Sequence, residues 1–146
     1  RVYGKDPFGA YVCVQSYISP RQNVQLAVGD LGKGIRITLN QADKYKDITD
    51  DNVAIKTAMR QGVSCWTHSE GQRRGNGLTE VLSIAMGNNA LFEIRSLKGK
   101  IWMSDKKIYT GTTNGELDGT LIGLKLFVDE VKRVSRKEID DVLENI

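Results

Sequence analysis

Three glycine segments stand where the hydrophobic pattern of the chain changes: Asp30-Leu31-Gly32-Lys33-Gly34-Ile35, Gly75-Asn76-Gly77-Leu78 and Gly119-Thr120-Leu121-Ile122-Gly123-Leu124. A carboxylate that closes a strand, with glycines two and four residues later, lets the backbone turn tightly and lets a flat ligand approach with no Cβ in the way. Glycines that open a helix leave its first N–H groups and the positive end of its dipole accessible to an anion. Arg73 and Arg74, just before the second segment, add charged donors. A threonine entering a central strand can turn its hydroxyl into a neighbouring pocket, although strand propensity alone accounts for it. Each segment taken singly reads equally well as a turn or loop.

The elements around these segments follow from periodicity. Residues 10–17 and 24–30 are rich in β-branched and apolar residues, and the turn cluster Ser19-Pro20-Arg21-Gln22-Asn23 separates them, which predicts two strands joined as a hairpin. A short helix is expected over residues 51–60, with Asp50 or Thr49 as its cap, Val53, Ala58 and Met59 on its apolar face, and Gly62 just past its end. Leu78, Val81, Leu82, Ala85 and Met86 recur at helical spacing, so a helix is expected over residues 77–86, stopped by Gly87 and two asparagines. Strands follow at 90–97, 100–104, 108–110 and 120–128, with Lys98-Gly99 as a tight turn. In the last strand Ile122, Leu124, Leu126 and Val128 share the buried face. Ser135 and Glu138 form a capping box before a final helix that carries Ile139, Val142, Leu143 and Ile146 on one side. This order implies an α/β fold: a two-layer sandwich with a mixed, mainly antiparallel sheet and helices on one face.

Composition narrows the class. The 146 residues predict a single domain over 1–146, able to bury a core without metal or disulfide staples. No apolar run reaches the length of a membrane span and no secretory signal opens the chain, so a cytoplasmic location is expected. Two cysteines and one histidine cannot supply a four-ligand zinc site, and no metal ligands are assigned. A net charge of +3, with 21 basic and 18 acidic residues interspersed, gives no basic stripe, so nucleic-acid binding is not indicated. Glycine, at 15 residues against 2 prolines, is in excess of its average share of about 7%.

Taken together, the three segments resemble the ATP-binding domain of the GHKL superfamily, which includes gyrase-type topoisomerases, the large heat-shock chaperones, sensor histidine kinases, MutL and the anti-sigma serine kinases. Asp30-x-Gly32-x-Gly34-Ile35 is similar to the family's first glycine box, Gly75-x-Gly77-Leu78 to its second, and Gly119-Thr120 to the threonine segment before its final strand. The likeness runs from about residue 10 to residue 128. It implies the Bergerat-type sandwich and ATP, with Mg²⁺, as the bound ligand. It implies further that Asp30 accepts the adenine amino group, that Gly32 and Gly34 border adenine and ribose, and that Thr120 supports adenine beside Asp30. Residues 36–74 would be the ATP lid. Arg73, Arg74, Gly75, Gly77 and the following helix would hold the phosphates. The family's remaining box, a helix bearing a glutamate and an asparagine that supplies the Mg²⁺ ligand and general base, is not found in residues 1–9, where Gly4, Pro7 and Gly9 stand. It is expected either upstream of Arg1 or to be missing altogether, which leaves the catalytic residues unassigned. The resemblance thus implies the nucleotide-binding module of a histidine kinase-like or anti-sigma serine kinase-like signalling protein, which takes ATP or ADP and a protein partner or substrate. The alternative is a nucleotide-sensing interaction domain without turnover.

Other residues that invite a functional reading have simpler ones. His68 and Cys65 lie in the expected lid, as a solvated loop histidine and an incidental small residue. Trp66 could stack on a base, whereas Trp102, between Ile101 and Met103, fits strand packing. Lys98, Lys100, Lys106 and Lys107 flank two strands and guard a sheet edge, or form a partner-binding face.

Overall fold

A computed structural model describes residues 9–64 and 75–130. Two strands open it, β1 (Tyr11–Tyr17) and β2 (Asn23–Asp30), joined through a cis Ser19–Pro20 peptide. Then come α1 (Ile35–Leu39), a 3₁₀ turn (Asp43–Tyr45), α2 (Asp51–Ala58) and α3 (Gly77–Gly87). Two long strands follow, β3 (Leu91–Ser104) and β4 (Lys107–Phe127), and a 3₁₀ turn (Val128–Glu130). The strands form one sheet in the order β1-β2-β4-β3, and every pairing among the described residues is antiparallel. The helix expected over residues 135–146 lies outside the described residues.

The helices pack on one face of this sheet. Leu82, Ala85 and Met86 of α3 and Ile55 and Met59 of the α2 segment meet Phe92, Ile94, Ile101, Met103 and Leu124 in a single core. Thr79 ties the two helices together by donating its hydroxyl to the Met59 carbonyl at 2.8 Å. The cap of α2 is Asp50, whose Oδ1 accepts the Val53 N–H at 2.8 Å. Val53 itself does not join the core: it is 50% exposed, because Ala54, Ile55 and Met59 set the inward stripe.

The expected turn at Lys98-Gly99 is absent, because β3 runs straight through it. Gly99 is needed for a tertiary reason instead, since a Cβ there would lie 2.8 Å from the Asp51 Cβ, so the start of α2 can dock only on a bare backbone. That dock is hydrogen-bonded on both sides. Asp51 accepts the Lys98 N–H and the Arg36 guanidinium, and Asn52 accepts the Lys100 N–H while donating to the Gly111 carbonyl. The pairing of β3 with β4 slips at Leu97, which takes φ 55°, so Phe92, Ile94 and Ser96 before the slip and Ile101 and Met103 after it all face the core. The reversal between β3 and β4 falls at Asp105-Lys106, both at positive φ. β4 extends well beyond the two short strands expected, and Val128 lies past its end and is exposed.

β1 is one of the two edge strands, and its residues are exposed on both faces. Val12 and Val14, on the helix side, are 64% and 62% exposed. Among the described residues no helix is long and apolar enough to cross a membrane.

Candidate functional site

The first and third glycine segments meet at the end of the β2–β4 ladder. Asp30 and Thr120 are direct cross-strand partners. Asp30 Oδ1 accepts the Gly32 N–H at 2.7 Å, which folds the chain back after β2, while Oδ2 has no protein partner among the described residues. Gly119, at φ 95°, lies so close that a Cβ would sit 2.0 Å from the Asp30 carbonyl oxygen. Only glycine fits that contact.

Ser96 holds the arrangement from beneath. Its side chain is 1% exposed, and its Oγ donates to the Gly119 carbonyl at 2.9 Å while accepting the Ile35 N–H at 2.8 Å. One hydroxyl therefore fixes the Gly34-Ile35 corner to the Gly119-Thr120 corner. Ser96 was not legible as a site residue: it reads as one more strand position, and its two partners are remote in sequence.

The second segment reaches the same region through an apolar cavity. Moving one step in register from the Asp30–Thr120 pair along the same sheet face gives the Val28–Ile122 pair. Val28 and Ile122, with Leu26 and Leu124, form the sheet side of a cavity of about 350 Å³, and Gly77, Leu78 and Val81 of α3 close its other side. The start of α3 has no side-chain cap, because Asn76 does not turn its oxygen onto the first-turn N–H groups. Asn76 Oδ1 is instead buried without a hydrogen-bond partner. Gly75 accepts the Gly62 N–H at 3.1 Å, so it fastens the approach to α3 against the end of the α2 segment. Arg73 and Arg74 lie outside the described residues, as do Cys65, Trp66 and His68.

Chemically, this is an apolar slot bounded by the start of a helix, with a carboxylate and a threonine one register step beyond it. Such a slot can take a flat apolar ring that carries a hydrogen-bond donor, and uncapped N–H groups can take an anionic group. Among the described residues no group of three or more His, Cys, Asp or Glu side chains could hold a metal ion. The protein side of an Mg²⁺ site is therefore not found there.

The clearest electrostatic perturbation lies on the other face of the sheet. Burial pushes the Glu93 carboxyl up, but hydrogen bonds and charge from Arg95 and Lys100 outweigh it and hold the group below the ordinary glutamate value. At the exposed end of the sheet, the Arg21 guanidinium likewise holds the Asp129 carboxyl low.

Compared with known proteins, the chain matches no protein-family model and no curated protein sequence.

Proposed function

We propose that the chain is an adenine-nucleotide-binding domain of the GHKL type and that its sandwich is the Bergerat fold. The single observation that carries this reading is the convergence of the three glycine segments. Asp30 and Thr120 stand one register step from Val28 and Ile122, which share a cavity with Gly77 and Leu78 of the second segment. In this reading adenine enters the apolar slot and its amino group donates to the free oxygen of Asp30. Gly32 and Gly34 leave room for base and ribose, and the phosphates reach the start of α3 with Arg73 and Arg74. Mg²⁺ would neutralise charge on the phosphates, and no described residue is assigned to hold it. Val12 and Val14, which pair with Val28 and Leu26 of the cavity, are exposed and offer an apolar surface on which a further helix could pack. The whole protein would use such a module for phosphoryl transfer to a protein substrate, in the manner of histidine kinase-like or anti-sigma serine kinase-like proteins, chiefly by positioning and charge neutralisation.

The test is thermal stability with ATP, ADP and GTP, each with and without Mg²⁺. A ligand at 100 times its Kd stabilises the native state by about 2.7 kcal/mol. ATP and ADP are expected to raise Tm and GTP to leave it unchanged. Asp30→Asn should erase the adenine preference. Indifference to all three nucleotides would reject the reading, and an unchanged preference in the variant would reject the role of Asp30.

A further inference from the structure

Gly123 has no reason to be glycine in the fold itself. It lies within β4, a central strand, paired with Ala27 on one side and Glu93 on the other. Glycine weakens a strand interior, and where it occurs it marks a bulge, a tight bend or the close approach of a ligand or another backbone. Neither slip of the ladder falls at Gly123, its φ is not positive, and a Cβ built there would meet nothing within 4 Å. Among the described residues nothing comes close to it, and close approach of a group from outside them is the explanation that remains.

The register shows what surrounds it. Cys13 pairs with Ala27 and Ala27 with Gly123, so three small residues lie in one row across three strands, on the sheet face opposite the helices. This row is the floor of a cavity of about 440 Å³, within the range of about 300–1,000 Å³ common for small-molecule sites. Trp102 of β3 is part of its lining, and the next row, Gln15, Gln25 and Lys125, forms a polar wall. Gln15 makes no side-chain hydrogen bond among the described residues. Lys125 lies 5.3 Å from the Phe127 ring centroid and has no carboxylate partner there. Glu93, at the far end of the floor, is already held by Arg95 and Lys100. The surplus charge around the cavity is therefore positive.

We propose that this trough is a second binding site, independent of the nucleotide site, and that it takes a small planar aromatic carboxylate. The ring lies on the Cys13–Ala27–Gly123 floor beside Trp102, and the carboxylate meets the Lys125 ammonium and the Gln15 amide.

The experiment is a titration of the isotope-labelled chain followed by backbone amide NMR. Indole-3-acetate is the probe, and tryptamine, the same ring with the opposite charge, is the control. The expected result is saturable shifts at Cys13, Ala27 and Gly123 with indole-3-acetate and at least tenfold weaker binding of tryptamine. Lys125→Gln should weaken indole-3-acetate at least tenfold, and Gly123→Val, whose Cβ would meet nothing within 4 Å, should fill the floor and abolish its binding while leaving Tm unchanged or higher. A second readout needs neither variant: in a Cys65→Ser background, indole-3-acetate should slow alkylation of Cys13 by iodoacetamide. Absence of saturable shifts, equal binding of the two probes, unchanged binding in folded Gly123→Val, or unaltered Cys13 alkylation would each overturn the proposal.

Discussion

Replacing Ser96 by alanine removes one oxygen and strands two backbone groups. The Gly119 carbonyl loses the hydroxyl that donates to it at 2.9 Å, and the Ile35 N–H loses the acceptor at 2.8 Å. Because Ser96 is 1% exposed, water does not readily replace either bond. A buried polar group left unsatisfied costs about 1–3 kcal/mol, and Ile35 is only partly buried, so the two together should cost about 2–4 kcal/mol. That is a large share of the ~5–15 kcal/mol that holds a typical domain together. Equilibrium urea denaturation measures it directly. With a slope of about 2 kcal/mol per molar urea, in the middle of the usual range, the midpoint should fall by about 1–2 M with the slope unchanged. Because the two freed groups lie in the first and third glycine segments, the corners around Asp30 should loosen as well, and amide exchange at Ile35 and Thr120 should speed up more than at Leu82 in the α3 core. A loss below about 0.5 kcal/mol, the range of ordinary surface substitutions, would refute the claim that this hydroxyl joins the two segments.

Two further predictions follow from local geometry. Asp105 and Lys106 both take positive φ in the β3–β4 reversal, at 51° and 60°, a conformation that suits glycine better than lysine, so Lys106→Gly should stabilise the chain by about 0.5–1 kcal/mol, read as a rise in Tm. The Glu93 carboxyl titrates lower in the folded chain than in the unfolded one, so its stabilising contribution is complete above the ordinary glutamate value and is lost as pH falls through the folded value. Glu93→Gln should therefore flatten the dependence of stability on pH between about pH 5 and 3, by no more than about 1 kcal/mol since the ion pairs are partly exposed. Asp129, held low by Arg21, supplies a part of the slope that the variant retains.

The local part of the fold was legible in the sequence. The edges of β1, β2 and α3 and the Asp50 cap follow from patterns confined to a few residues: alternation, helical spacing and a single capping side chain. What escaped has non-local causes. Lys98-Gly99 has the composition of a turn, yet Gly99 is dictated by the Asp51 Cβ 2.8 Å away across the fold. The Thr- and Gly-rich stretch at 111–119 lacks strand alternation, and only its pairing with a β3 that slips at Leu97 makes it part of β4. Val53 misled because its apolar side chain lies next to the stripe that Ala54, Ile55 and Met59 define. The candidate site divides in the same way. Asp30, Gly34, Gly77 and Thr120 carry their own local signals, whereas Ser96 has none, because its role depends on two partners brought to it by the sheet.

If the three glycine segments form one adenine-nucleotide site, as proposed, they must respond to one ligand as a unit. Titrating the isotope-labelled chain with ATP, and with GTP in parallel, while following the backbone amides of Asp30, Leu78 and Thr120 tests it most directly. All three are expected to move together with a single Kd for ATP and to stay still with GTP. Immobility of the three with ATP, or movement of the Leu78 amide alone, would contradict it.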